Sequence, residues 1–102
     1  MRAALKQHPS LKGLFEFEEF NPIQQACLPL IMDREDNLIV SAPTSSGKTV
    51  LFELAIAKYL SPPSPLCLYL APIKSLCHEK CSQWEKKFRG RLSVAEVTGD
   101  TL

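Results

Sequence analysis

The sequence predicts an α/β domain, a parallel sheet with helices on both faces, and two features of its patterning carry that expectation. Helix-like and strand-like segments alternate along the 102 residues. The strand-like segments are continuous apolar runs, not the apolar–polar alternation of a sheet with one wet face. An order of helix, strand, helix, strand, helix, strand suits parallel strands joined by right-handed crossovers.

Each element has its own signal. In "FEEFNPIQQACLPLI", Asn21 is an N-cap and Pro22 occupies the first helical position, with Ile23, Ala26, Cys27, Leu30 and Ile31 on one face. Pro29 is expected to kink or end that helix. "NLIVSA", Asn37 to Ala42, has the apolar centre Leu38 to Val40 of a strand buried on both faces. "KTVLFELAIAKYL", Lys48 to Leu60, is apolar nearly all round, as in a helix packed inside a larger protein. The prolines of "SPPSP", Ser61 to Pro65, make a loop, because proline carries neither a helix interior nor a central strand. "LCLYLA" then reads as a second buried strand. The helix after it, "IKSLCHEKCSQWEKKF", lines up Ile73, Leu76, Cys77, Cys81, Trp84 and Phe88, with Trp84 as a core anchor and Gly90 as the stop. Leu92, Val94 and Val97 suggest a third strand running into "TGDTL".

Composition narrows the class. With 45% hydrophobic and 23% charged residues the chain reads as one ordinary globular domain or a piece of one. Twelve basic against eleven acidic residues create no global field toward nucleic acid, so any such contact is local. Cys27, Cys67, Cys77 and Cys81 sit in apolar segments without the spacing of a disulfide framework, which points to a reducing compartment. Cys77 and Cys81 lie four apart with His78 adjacent, but no second ligand pair follows, so a buried helix face is expected there. No segment has the length and apolarity of a membrane span or a signal peptide, and an intracellular, soluble protein is expected.

The chemistry concentrates in "APTSSGKT", placed where a strand ends and a helix begins. That is the setting of a phosphate-binding loop. Small residues let the backbone curl so that its N–H groups face phosphate oxygens, and the following helix adds the positive end of its dipole. Ala42, Pro43, Thr44, Ser45, Ser46 and Gly47 would form the cradle, with Ala42 where the strict pattern has glycine. Lys48 would neutralise the β- and γ-phosphates and Thr49 would place its hydroxyl on Mg²⁺, which makes them the candidate catalytic pair.

The surrounding motifs resemble one family. "APTxxGKT" with alanine first is similar to the phosphate loop of superfamily-two helicases, "APIKSL" (Ala71 to Leu76) to their motif Ia, and "TGD" (Thr98 to Asp100) to a later DNA-contacting turn. "FEFEEFNPIQ" resembles their adenine-reading Q segment. Within that superfamily, "FNPIQ", "GKTVLFELAI", "APIKSLC" and "VTGDT" are most similar to the meiotic DNA helicases that promote crossing-over, relatives of archaeal repair and spliceosomal helicases. The resemblance covers roughly residues 14 to 102; Ser45 stands where many of these helicases have glycine, and Ser75-Leu76 where motif Ia commonly reads Ala-Leu.

The resemblance implies a RecA-like domain, ATP and Mg²⁺ as cofactors, DNA as the partner of the full-length parent, and a nuclear location. Gln24 would read the adenine edge, its plainer reading being an exposed glutamine at a helix start. Phe17 or Phe20 would stack on the base or belong to the core. Pro72, Lys74, Thr98 and Gly99 would hold DNA phosphates, the plainer reading of Lys74 being a solvated helix start. The DExH box and the second motor domain are not in these residues. Residues 1 to 102 are therefore read as an incomplete first motor domain: a fragment, a mispredicted gene or a truncated product, with no activity of its own. A truncated product that at most binds a partner is the alternative, and a related repair or RNA helicase another. A small nucleotide kinase would need an acceptor site and a lid that the sequence lacks.

Overall fold

A computed structural model describes residues 2–35, 37–41, 47–60 and 66–99. The chain divides into two compact units, Met1–Pro65 and Leu66–Leu102. The described residues form four α-helices and one 3-10 turn: α1 (Arg2–Gln7), the turn Pro9–Leu11, α2 (Pro22–Met32), α3 (Lys48–Lys58) and α4 (Lys74–Lys87).

In the first unit α2 packs against α3, and the 3-10 turn touches both α1 and α3. Leu11, Leu54 and Ala57 are almost completely buried, with Ala4, Leu14, Phe20, Cys27, Met32 and Leu51 also inside. The start of α2 follows from its sequence. The Asn21 side chain accepts the Gln24 backbone N–H at 2.8 Å. In return the Asn21 backbone N–H donates to Gln24 Oε1 at 3.0 Å, which completes a capping box. Pro29 does not end the helix: Asp33 N–H still reaches the Pro29 carbonyl at 3.0 Å. The buried face of α2 carries Gln24, Cys27 and Met32, whereas Ala26 and Leu30 of the expected face are exposed. On α3 only Leu51, Glu53, Leu54 and Ala57 are buried, and Phe52 is exposed, so one side of this all-round apolar helix is covered. Its C-terminus is tied down by Lys58 Nζ, which donates to the Arg34 carbonyl and pairs with Glu35. The Tyr59 hydroxyl donates to Glu35 Oε2 at 3.0 Å. His8 Nε2 lies 3.3 Å from Asp33 Oδ1 and links the α1 end of the unit to the C-cap of α2.

In the second unit Trp84 and Phe88, four apart on α4, are buried, and Tyr69 packs edge-on against Trp84 at 4.9 Å between ring centres. Trp84 is thus the anchor that its position suggested. Gly90 takes φ +82° just beyond the helix, the left-handed turn that glycine allows. Ile73 is the N-cap rather than part of the buried face, and Cys77 and Cys81 are half-buried. Burial pushes the Cys81 thiol pKa up, and Glu96, Glu85 and Cys77 add to that.

The expected sheet is not formed among the described residues, and this is the main departure from the sequence reading. Residues 37–41, 66–71 and 92–98 carry no strand pairing. The physical reason lies in what such strands require. An apolar run of a parallel sheet needs a ladder partner on each side and a layer on each face. Among the described residues of its own unit each of these runs lacks them: Ile39 and Leu66 are 95% exposed, and Leu68 and Leu70 about 80%. Residues 92–99 do keep a period of two, with Leu92, Val94, Glu96 and Thr98 half-buried and the residues between them exposed. Val97, expected inside, falls on the exposed phase.

Candidate functional site

Two helix starts meet in the first unit. Gln24, in the first turn of α2, is only 5% exposed, contrary to the plainer reading of it as a solvated residue. Its Nε2 donates to the carbonyl of Gly47, the N-cap of α3, at 3.2 Å. The Gln24 amide is therefore held from both sides, its oxygen by the Asn21 N–H and its nitrogen by Gly47. An interchange of O and N would set two donors against each other at Asn21 and two acceptors at Gly47, so the network assigns the orientation.

Gly47 sits at φ +79°, in the left-handed region. A Cβ there would lie 2.6 Å from Gln24 Nε2 and 3.2 Å from Asn21 Nδ2. Glycine is favoured here by the backbone conformation and by the tip of the Gln24 side chain, which a Cβ would have to displace. Lys48 and Thr49 follow directly as the first two residues of α3, both half-buried. They stand where a helix leaves its first amides without internal acceptors and presents its positive dipole end. Lys48 also lines a largely apolar concavity of about 390 Å³ with Leu38, Val40, Leu51 and Phe52 among its walls. The cradle residues Ala42, Pro43, Thr44, Ser45 and Ser46 lie outside the described residues.

Upstream, Phe15, Phe17 and Phe20 form a mutual ring cluster with centroid distances of 5.2, 5.8 and 5.7 Å. Phe20 is 6% exposed and spends its faces on the core, while Phe17 is 38% exposed. Of the two candidates for stacking on a base, only Phe17 retains open surface. In the second unit Pro72 and Lys74 are exposed at the start of α4, Thr98 is half-buried and Gly99 exposed. His78 Nδ1 lies 3.1 Å from Glu96 Oε1 and ties α4 to the segment that carries Thr98 and Gly99. Among the described residues no group of three or more His, Cys, Asp and Glu residues is placed to hold a metal, and no helix is long and apolar enough to cross a membrane.

One residue escaped the sequence reading as part of the site. Asn21 was legible only as a helix cap, although Asn-x-x-Gln is itself a capping-box spacing that couples it to Gln24.

The described residues thus bring together a buried amide, a left-handed glycine and a Lys-Thr pair at a helix start. The chain belongs to the DEAD/DEAH box helicase family, whose profile matches residues 21–102. That membership implies a RecA-like fold, of which the described residues display helices and no sheet. The chain is 43% identical over 97 residues to the ATP-dependent DNA helicase MER3 of Saccharomyces cerevisiae, covering 90% of this chain and 8% of that protein. It is 42% identical over 109 residues to the probable ATP-dependent DNA helicase HFM1 of Homo sapiens, covering 100% of this chain and 8% of the relative. The DExH-box ATP-dependent RNA helicase DExH13 of Arabidopsis thaliana is 38% identical over 102 residues, with 94% of this chain and 5% of that protein covered. This chain thus spans under a tenth of the length of these relatives. No solved structure matches it.

Proposed function

We propose that these 102 residues are the ATP-binding part of the first motor domain of an ATP-dependent DNA helicase that acts in meiotic recombination in the nucleus. The observation that carries the nucleotide reading is the junction of Gln24 with Gly47, which puts the α2 start against the residue preceding Lys48-Thr49. Gln24 reads the adenine edge, Phe17 stacks on the base with Phe20 supporting it, and residues 42–47 with Lys48 hold the phosphates. Thr49 holds Mg²⁺, which would neutralise charge on the transferring phosphoryl group. The residues present fit these ligands: a small-residue loop, a glycine at positive φ and a Lys-Thr pair at a helix N-terminus suit a nucleotide triphosphate and its hard cation. Pro72, Lys74, Thr98 and Gly99 contact DNA phosphates in the full-length protein.

Relatives named for DNA are 36–43% identical to the chain and one named for RNA is 38% identical, so the preference for DNA rests on the motif resemblance. The meiotic assignment rests on the combination of "FNPIQ", "GKTVLFELAI", "APIKSLC" and "VTGDT". The uncovered apolar residues Ile39, Leu66 and Leu70 support a second element of the reading, that these residues alone are at best marginally folded. Replacing Lys48 by Ala in the full-length helicase tests the assignment. ATP hydrolysis and unwinding are expected to vanish, and near wild-type turnover would overturn it.

A further inference from the structure

We propose that Asn21 is a positioning residue for nucleotide selectivity: by capping α2 it locks the Gln24 amide in the one orientation and place from which it discriminates adenine from guanine. The inference rests on the reading of Gln24 as the adenine contact and adds to it the device that makes the contact selective.

The geometry runs through three groups. Asn21 Oδ1 takes the Gln24 backbone N–H at 2.8 Å, which sets the first turn of α2 so that the Asn21 backbone N–H meets Gln24 Oε1 at 3.0 Å. The same amide then delivers its nitrogen to the Gly47 carbonyl at 3.2 Å. A primary amide has two acceptor lone pairs and two N–H donors. One of each is spent on these backbone groups, and one of each is left by valence. The remaining oxygen lone pair and N–H make a pair complementary to the N6–H and N7 of adenine. Guanine offers acceptors at both of those positions, so the amide oxygen meets guanine O6 without a proton between them.

A mobile glutamine would escape that mismatch by swinging away and bonding to water, and selectivity would collapse. Here the amide is 5% exposed and held at both ends, so moving it breaks two hydrogen bonds in a site with little access to water. The Asn21 side chain therefore acts on the base through Gln24. Its Nδ2 also lies 3.2 Å from where a Cβ on Gly47 would stand, so the same side chain packs against the glycine that leads into Lys48.

The test uses the full-length helicase that carries these residues, with fluorescently labelled ATP and GTP, and the readout is the ratio of the two dissociation constants. The unmutated helicase is expected to prefer ATP. Asn21→Ala is expected to reduce that preference by about threefold to tenfold, the net worth of one hydrogen bond, and Asn21→Ser, which restores a capping oxygen, to recover it. Gln24→Glu keeps an oxygen for the Asn21 N–H and loses the N–H donor, so it is expected to remove the preference while retaining the cap. A purely structural role for Asn21 would weaken ATP and GTP binding alike and leave the ratio unchanged, which overturns the proposal. If Gln24→Glu removes the preference and Asn21→Ala does not, the adenine reading stands and the proposal falls. If neither variant changes the ratio, or the unmutated helicase binds ATP and GTP equally or binds neither, both fall.

Discussion

Replacing Gly47 by Ala puts a number on the junction between α2 and α3. Two costs add. At φ +79° an L-residue pays about 1–2 kcal/mol for the left-handed region. The new Cβ also falls 2.6 Å from Gln24 Nε2, which must move. Moving the tip of a flexible side chain is sterically cheap, but it gives up the Gln24–Gly47 hydrogen bond, worth about 0.5–1.5 kcal/mol net. The expected loss is about 1.5–3.5 kcal/mol. Urea denaturation of the chain, run in trimethylamine N-oxide so that a marginal fold is well populated, measures it by the shift in midpoint at constant slope. Two further variants separate the parts. Asn at position 47 tolerates the left-handed region, so it should recover much of the conformational part and none of the contact part. In a Gln24→Ala background the contact part is absent, so Gly47→Ala should cost about 1 kcal/mol less there. A loss below about 0.5 kcal/mol, or the same loss with and without the Gln24 amide, would refute the account of why glycine stands at this position.

Three other outcomes are expected. Lys48→Ala in the full-length helicase should abolish ATPase and unwinding, since the nearest lysine along α3, Lys58, lies almost three turns away and pairs with Glu35; steady-state hydrolysis measures this. The isolated chain should show no ATP turnover and, without added osmolyte, a weak or non-cooperative urea transition with aggregation, because Ile39, Leu66, Leu68 and Leu70 are at least 79% exposed; a sharp reversible transition worth several kcal/mol would contradict it. The hydrogen bond from Lys58, with one from Tyr59 and the Lys58 charge, holds the Glu35 carboxyl below its ordinary pKa. A depressed acid contributes stability that is present above its unfolded pKa and fades as pH falls through the folded one, so this tie should loosen only in acid. Lys58→Met should move the Glu35 carbon-13 titration up toward the ordinary carboxylate range, and an unmoved titration would refute the pairing.

What the sequence determined by itself is what depends on neighbours within about one helical turn. The start of α2 was legible because a cap joins Asn21 to Gln24, three residues apart, and Pro22 favours the same place. The extents of α3 and α4 came within one or two residues, and Trp84 and Phe88 were placed inside by their spacing of four. Helix α1 was missed, as "RAALKQ" is too short to show a periodicity. The Lys48-Thr49 pair at the start of α3 was legible because "GKT" is contiguous in sequence. Tertiary structure decided the rest. That Phe17 and not Phe20 keeps open surface depends on how three rings pack. That Leu38 to Val40 and Leu66 to Leu70 pair with nothing among the described residues depends on ladder partners, which no strand carries in its own sequence. Gln24 and Gly47 are 23 residues apart, and only the packing of α2 on α3 brings that amide to that carbonyl. The physical division is one of range: caps and helical periodicity are fixed by bonds across three or four residues, whereas a sheet, a buried amide and a shared helix junction exist only once distant segments have excluded water from between them.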